Sequence, residues 1–305
     1  MNDVDLRQLR YFLAVARERS FTRAAATLTM TQPALSRAIR DLEHSIGVEL
    51  FVRGHRDVRL TAAGRVLFDD ARGLDEQARA ALTRAARAGH DRTRLRVSAR
   101  GCEIKVLDHL VQTYNARFPA EQAAEAAMVN WQDQTDALRS GQDDVGLLRR
   151  PFDDRGLDSE LLWSEPRVTL LSVRHPLASR ATINRAELAG EAIAVWAEAS
   201  ADETAHWAGT DLEHHHWLPG PPIQDLAQLT GNVRLARTIA FAPLSLLNEP
   251  LPAGIVAVPT HGLSDSQLHV AWPARATSPD IARFVRHAIA HASDLHSSAA
   301  GSDRS

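Results

Sequence analysis

Residues 31–47 read TQPALSRAIRDLEHSIG, and their spacing decides the fold of the N-terminal third. Leu35, Ile39, Leu42 and Ile46 recur at i, i+4, i+7 and i+11, so at about 3.6 residues per turn they share one stripe of a helix and predict its buried face. Roughly opposite lie Pro33, Ser36, Arg37, Arg40 and His44, with Gln32 at the exposed start. Gln, Ser and Arg are side chains that donate to phosphates or read base edges. Thr31 stands where a cap is needed, and Pro33 falls in the first turn, where its missing N–H costs nothing.

Upstream, Leu6, Leu9, Leu13 and Ala16, with Phe12 beside them, predict a helix over 5–18 that the polar Arg19-Ser20 ends. Thr22 is expected to cap a short helix from Arg23 to Leu28, whose Ala24-Ala25-Ala26 run lets a neighbour approach closely. A short helix, a tight turn and a helix with a polar outer face form a helix-turn-helix, which puts the second of the pair into the major groove. Downstream, Glu49–Arg53 and Val58–Thr61 read as two short strands around the polar turn 54–57. This is a basic wing, with Arg53 and Arg56 placed for phosphates or the minor groove, whose negative potential favours Arg.

Beyond the wing, 62–89 is expected to form one long helix capped by Thr61. Along it Leu67, Ala71, Leu74, Ala78, Ala81, Ala85 and Ala88 alternate steps of four and three. Such a seam serves either dimerisation or packing against the chain's own domains. One recognition helix reads only a half-site, so a dimer fits the chemistry.

The 305 residues carry a net charge of −3, which by itself argues against a nucleic-acid partner. The average conceals unlike parts, because residues 1–90 hold 15 Arg against 11 Asp and Glu, and the remainder holds 20 basic against 27 acidic residues. A basic module therefore precedes an acidic one. Arginine supplies 34 of the 35 basic residues. Cys102 is the single cysteine, so no internal disulfide forms, and no apolar run of 18 residues or basic leader occurs; a cytoplasmic, nucleoid-associated protein without a membrane span is expected.

Past the polar 89–93, short apolar runs alternate with helical patterns. Leu95–Ala99, Ala124–Val129 and Val145–Leu148 read as strands, and Lys105–Phe118 and Gln132–Ser140 as helices. A second series follows at Val168–Val173, Asn184–Leu188, Ala192–Trp196, Ile223–Leu229 and Thr238–Ala242. Ile255–Pro259, Leu268–Trp272 and a helix from Pro279 to about His291 close the chain. The alternation predicts βα units and a mostly parallel sheet.

The run Phe21–Ala25, Gln32–Arg37, Ile39, Leu42-Glu43, Gly47–Phe51, Arg53 and Leu60–Gly64 resembles the N-terminal domain of LysR-type transcriptional regulators. The acidic part resembles the same family's effector-binding domain through Leu138–Gly141, Asp144–Leu147, His175–Ala178, Leu188-Ala189, Ile239-Ala240 with Pro243, and Ser278-Pro279. The resemblance implies a sequence-specific DNA-binding regulator, not an enzyme, modulated by a small-molecule effector. Its fold class is α + α/β: a winged helix-turn-helix at 1–61, a linker and dimerisation helix at 62–90, an effector-binding domain at 91–296 and a flexible tail at 297–305. The effector domain comprises two Rossmann-like α/β subdomains, periplasmic-binding-protein-like, one about 91–165 and 269–296 and the other about 166–268. Crossings between them are expected near Trp163–Arg167 and His269–Trp272. The implied partners are double-stranded promoter DNA, a second copy through the 62–88 helix, a homotetramer of two such dimers, and RNA polymerase. Gln32, Pro33, Ser36, Arg37 and Arg40 would face the major groove and Arg53 the wing contact, with Thr22 and Thr31 near phosphates.

In open α/β sheets ligands bind beyond the carboxyl ends of strands and between subdomains. This rule selects Arg100, Gly101 and Cys102 after the first strand, Asn130, Trp131 and Gln132 after the second, Arg149 after the third and Trp196 in the second subdomain. Arginines suit a carboxylate and tryptophans an apolar body. Two departures stand out: Arg100-Gly-Cys102 replaces the family's frequent small hydroxyl residues, and Ala236 and Thr238 replace a frequent glycine pair, so those loops are expected to differ in backbone conformation. No cofactor or metal is expected. His214-His215-His216, with His206, Asp211 and Glu213 nearby, lacks i, i+4 ligand spacing and reads as a solvated loop, with metal sensing as the alternative. Cys102 has no resolving partner for a redox switch, and no phosphate loop, nucleophile elbow or H-E-x-x-H motif supports an enzyme.

Overall fold

The computed structural model describes residues 4–53, 58–89, 94–119, 123–130, 133–248, 250–276 and 278–300. The chain divides into two compact units, 1–86 and 87–305.

In the first unit α1 (Leu6–Glu18) begins on a capping box in which Asp5 accepts from the Gln8 N–H and Gln8 reaches back to Asp5. Helix α2 (Phe21–Thr27) starts earlier than the sequence suggested. Ser20, not Thr22, is its cap, because the Ser20 hydroxyl accepts from the Arg23 N–H. Helix α3 (Gln32–Ile46) follows a turn in which Thr29 takes a left-handed conformation, and Gly47 closes it at φ 75°. Thr31 holds the cap position, but its side chain makes no capping hydrogen bond. Phe12, Leu13, Leu35, Ile39, Leu42 and Phe51 form the core. Each fully buried side chain of this kind contributes about 1.5–3 kcal/mol.

The wing strands β1 (Phe51–Arg53) and β2 (Val58–Leu60) pair antiparallel. The turn at 54–57, Arg56 included, lies outside the described residues. Thr61 then starts α4 (Ala62–Gly89): its hydroxyl donates to the Glu49 carbonyl and accepts from the Gly64 N–H. A Cβ on Gly64 would lie 2.2 Å from the Leu50 carbonyl oxygen, so only glycine lets α4 start against the wing. Leu67 and Ala71 of the heptad series pack into this unit's own core, and buried Asp75 receives Arg10 at 2.5 Å. Leu74, at 46% exposure, is left uncovered, as are Ala81 and Ala85. One part of the seam is thus spent on the chain's own core, and the rest is uncovered.

The strands of the second unit are β3 (Leu95–Ala99), β4 (Ala124–Met128), β5 (Val145–Arg149), β6 (Leu157–Glu165), β7 (Arg167–Ser172), β8 (Ile183–Asn184), β9 (Ala192–Trp196), β10 (Leu218–Ile223), β11 (Ala240–Pro243), β12 (Ile255–His261) and β13 (Ser266–Pro273). Its helices are α5 (Ile104–Arg117), α6 (Gln134–Arg139), α7 (Ala201–Ala208), α8 (Leu226–Arg234) and α9 (Pro279–Ala300). One sheet has the order β4-β3-β5-β13-β6 and a second β11-β7-β12-β8, with β9 and β10 as a parallel pair. The expectation of mostly parallel strands holds for β4-β3-β5, for the pair β9-β10 and for the short pairing of β8 with β12. Strands β6 and β13 are antiparallel to each other, as β7 is to β11 and β12, because these segments lead out of and back into each subdomain.

The first crossing falls between β6 and β7, at Glu165–Arg167, inside the expected stretch. The second runs through 262–265 and not His269–Trp272: β13 pairs with β6 over its whole length, from Ser266 to Pro273, so those residues belong to the first sheet. Arg167 ties the two crossings together, donating to the Ser264 carbonyl and hydroxyl, each at 2.7 Å, and lying 3.4 Å from Asp211. Helix α9 continues to Ala300, past its expected end, and 301–305 lie outside the described residues. Ala236 adopts φ 54° despite its side chain, so at that position the loop keeps the left-handed backbone that glycine would favour, contrary to the expectation that alanine would abandon it.

Candidate nucleic-acid interface and ligand cavity

Burying Leu35, Ile39 and Leu42 turns the opposite face of α3 outward. Gln32, Pro33, Arg37 and Arg40 are exposed and Ser36 is half-buried, so the five residues selected from sequence form one face. Gln32 donates to the Ser36 hydroxyl at 2.9 Å, and Arg40 donates to the Ser36 carbonyl at 3.2 Å, which steadies both long side chains along the helix. Arg37 has no hydrogen bond or ion pair among the described residues. Thr22 and Thr31 are exposed near the starts of α2 and α3, and Arg53 ends β1 opposite Val58. Such a face presents donors to phosphates and base edges without a rearrangement of the core.

In the second unit the strand-end residues do not converge on one site. Arg100 donates to Gln134 at 2.8 Å and lines a small polar cavity of about 140 Å³ with Gln134, Thr135, Phe152, Asp153, Glu198 and Glu203. Glu198 adopts φ 60°, a strained conformation for a residue with a side chain. Burial lowers the pKa of the Arg100 guanidinium, and the Arg155 hydrogen bond holds Asp153 down at about 2.

Gly101, Cys102 and Arg149 line a different, largely apolar cavity of about 380 Å³, within the range of small-molecule sites. Gly101, Cys102, Ile104, Lys105, Val106, Arg149 and Trp163 form its wall on the first subdomain. Leu226, Ala227, Thr230, Ser245, Leu246 and the 250–252 segment form its wall on the second. Cys102 is exposed as a residue, but its thiol donates to the Glu103 carboxylate at 2.9 Å, and enclosure of the sulfur together with that carboxylate raises its pKa. The thiol therefore stays protonated and weakly reactive. Arg149 is the buried centre of a network: Nε donates to Glu103 at 2.8 Å, Nη1 to Ser266 and Nη2 to Ser245, with Glu165 2.8 Å away. Burial works against the guanidinium's charge, but Glu103 and Glu165 outweigh it and raise its pKa. Ser245 also donates to Glu165 through both its N–H and its hydroxyl, which joins the second subdomain to this network.

Trp196 packs edge-on against Trp207, ring centres 6.3 Å apart, and joins the second subdomain's core. Trp131 and Gln132 lie outside the described residues, and Asn130 contacts Asp133 at 3.4 Å. His215 approaches Glu213 at 3.8 Å, and no group of three or more His, Cys, Asp or Glu side chains able to hold an ion occurs among the described residues. Strand-end reasoning missed Lys105, Trp163, Thr230 and Ser245. The rule applies equally to the start of α8, which follows the end of β10, and would have pointed there.

The first unit is thus a winged helix-turn-helix, and the second a two-subdomain α/β fold with a cavity of small-molecule size. The profile described as bacterial regulatory helix-turn-helix protein, lysR family, matches residues 6–65, and that of the LysR substrate binding domain matches residues 88–293. The chain belongs to the LysR family, whose members are transcription regulators and not enzymes. It is 39% identical to the Hca operon transcriptional activator HcaR of Escherichia coli (strain K12) over 188 residues, a match covering 61% of this chain and 63% of that protein. The stretch shared with HcaR is thus somewhat under two thirds of the relative's length. A probable cat1 operon transcriptional activator of Acinetobacter lwoffii is 35% identical over 226 residues, 72% of this chain and 74% of that protein. Among solved structures, CbnR, a LysR family transcriptional regulator, shares the fold at a TM-score of 0.55 and 22% identity, over 95% of this chain and 99% of that one.

Proposed function

We propose that this protein is a cytoplasmic, sequence-specific transcription regulator whose DNA binding is set by a small molecule held between the two subdomains of its second unit. The observation that carries the reading is the outer face of α3, where Gln32, Pro33, Arg37 and Arg40 are exposed beside Ser36, behind a fully apolar inner face. Gln32, Ser36, Arg37 and Arg40 read or position the major groove, Arg53 the wing contact, and Thr22 and Thr31 lie near phosphates. Two copies pair through the uncovered part of the 62–88 helix, and two such dimers form a tetramer on an interrupted dyad. Of the two relatives named above, one is described as an operon transcriptional activator and the other as a probable one, which supports activation as this protein's mode; RNA polymerase would be the partner that activation implies. No described helix is long and apolar enough to cross a membrane.

Footprinting on the DNA flanking the gene tests this. Arg37→Ala is expected to weaken specific binding by about 1–3 kcal/mol, and Arg53→Ala to act more evenly across sequences. Unchanged protection by both variants would overturn the assignment.

A further inference from the structure

We propose that Asp75 is a positioning residue for DNA recognition: clamped by Arg10, it fixes the angle at which α4 leaves the reading head, and thereby the half-site spacing that a dimer accepts. The proposal rests on the reading above, in which α3 enters the major groove and two copies pair through the uncovered part of α4.

Helix α4 is held to the rest of its unit at both ends of a short stretch. At its start the wing holds it, because the Thr61 N–H donates to the Leu50 carbonyl at 2.9 Å and Gly64 lies against that same carbonyl. Leu67, Phe68 and Ala71 then pack into the core that contains Phe12, Leu13 and Ile39, and Ala71 is the last residue of α4 in it. One turn further Asp75 is buried, and both of its carboxylate oxygens are engaged. Arg10 of α1 donates through Nε to Oδ1 at 2.5 Å, and Arg79 Nη2 lies 2.7 Å from Oδ2. Arg10 stands on α1 between the core residues Leu9 and Phe12, so the clamp ties α4 to the helix whose inner face shares a core with α3. Leu74, beside Asp75, is uncovered; the clamp therefore sits where the reading head ends and the pairing stretch begins.

Geometry gives the clamp its leverage. Gly64 and Asp75 lie about 16 Å apart along a helix that rises about 1.5 Å per residue. Swinging α4 about its start by roughly 10° would move it at Asp75 by about 3 Å, close to the rise of one base pair. The 2.5 Å contact with Arg10 does not survive such a swing. Between the two heads of a dimer, a swing of this size is a half-site misplaced by about one base pair. The chemistry suits this role. A carboxylate held by a guanidinium is directional, whereas small apolar contacts such as that of Ala71 tolerate sliding. A buried ion pair adds little stability over apolar packing, and its best-attested use is to fix register. Without Arg10, Asp75 keeps only Arg79, an i, i+4 partner on its own helix that restrains nothing in α1.

Duplexes built on the footprinted site, with the half-site spacing lengthened or shortened by one or two base pairs, and one duplex with a single half-site, are titrated with the full chain by fluorescence anisotropy. The parent is expected to favour its native spacing roughly tenfold or more, the low end of what misplaced base contacts cost. Arg10→Met and Asp75→Asn are each expected to cut that preference to about threefold or less while leaving affinity for the single half-site within about twofold, and Arg10→Lys, which keeps the ion pair, to retain it. Arg10 is half-exposed and its loss leaves Asp75 paired with Arg79, so Arg10→Met decides the matter where Asp75→Asn fails to fold. A parent without spacing preference, a preference unchanged in Arg10→Met, or a loss spread evenly over every duplex, the single half-site included, overturns the proposal. Failure of the regulator reading shows differently, as no footprint by the parent, and failure of pairing through α4 as dimers that persist in Leu74→Glu.

Discussion

Mild acid should destabilise the second unit well before its carboxylates titrate, and two buried histidines are a main cause. His269 lies in β13 with both ring nitrogens unpartnered among the described residues, edge-on to Phe152 at 6.1 Å. His287 of α9 is buried among Tyr114, Phe118 and Phe284, with Nε2 3.0 Å from the Thr113 hydroxyl. Burial, with Arg150 adding to it at one site and His291 at the other, lowers each from the usual 6.5 to about 4. The folded pKa is below the unfolded one, so the unfolded chain takes up protons first as pH falls. The stability is fully present above about pH 6.5 and is lost progressively down to about pH 4. At pH 5.5 each histidine costs about 1 kcal/mol and the pair about 2–3 kcal/mol relative to pH 7.5. For a unit of this size about 2–4 °C is lost per kcal/mol, so the melting temperature should drop by roughly 5–10 °C between those pH values. The six tryptophans, 131, 163, 196, 207, 217 and 272, all fall in this unit, so their fluorescence reports its melting alone. Replacing both histidines by leucine should shrink the drop, leaving the part due to His206, whose pKa burial also lowers. A double variant that melts as steeply with acid as the parent would refute the reasoning.

Gly64→Ala should destabilise the first unit by about 2 kcal/mol or more, since the new Cβ meets the Leu50 carbonyl and backbone must move; chemical denaturation followed by circular dichroism checks this. Leu74→Glu, on the uncovered stretch of α4, should yield monomers by sedimentation, and a persistent dimer would place the interface elsewhere. Arg149→Met should cost about 3–5 kcal/mol in thermal or urea unfolding, because it strands Glu103 and Glu165 as buried unpaired carboxylates. An unaffected midpoint would mean that those carboxylates find protons or water at little cost.

The helix-turn-helix was legible residue by residue because its information is local. The i, i+4, i+7 stripe of Leu35, Ile39 and Leu42 already states which face of α3 must be buried, and hence which face is free. Small errors came from local competition, as when Ser20 and not Thr22 captured the Arg23 N–H. Strand β6 was missed because Leu157–Glu165 mixes buried and exposed residues without clean alternation, and is held as a strand by its pairing with β13 about a hundred residues on. The second crossing was misplaced for the same reason.

The effector side shows where sequence reading stops. Charge distribution, the helix-turn-helix and the order of α and β segments follow from residue type and spacing, so the sequence alone determined a basic helical module followed by an acidic α/β one, and the division of the latter into two subdomains came from the family resemblance. Which strand ends share a cavity is settled by side chains far apart in the chain. Arg149 sits at a strand end as the rule requires, yet Glu103, Glu165, Ser245 and Ser266 absorb its donors, and Trp196 turns to Trp207. Lys105 carries no motif around it. Only the tertiary structure placed it on the cavity wall, because long-range packing, not local periodicity, decides which side chains share a cavity.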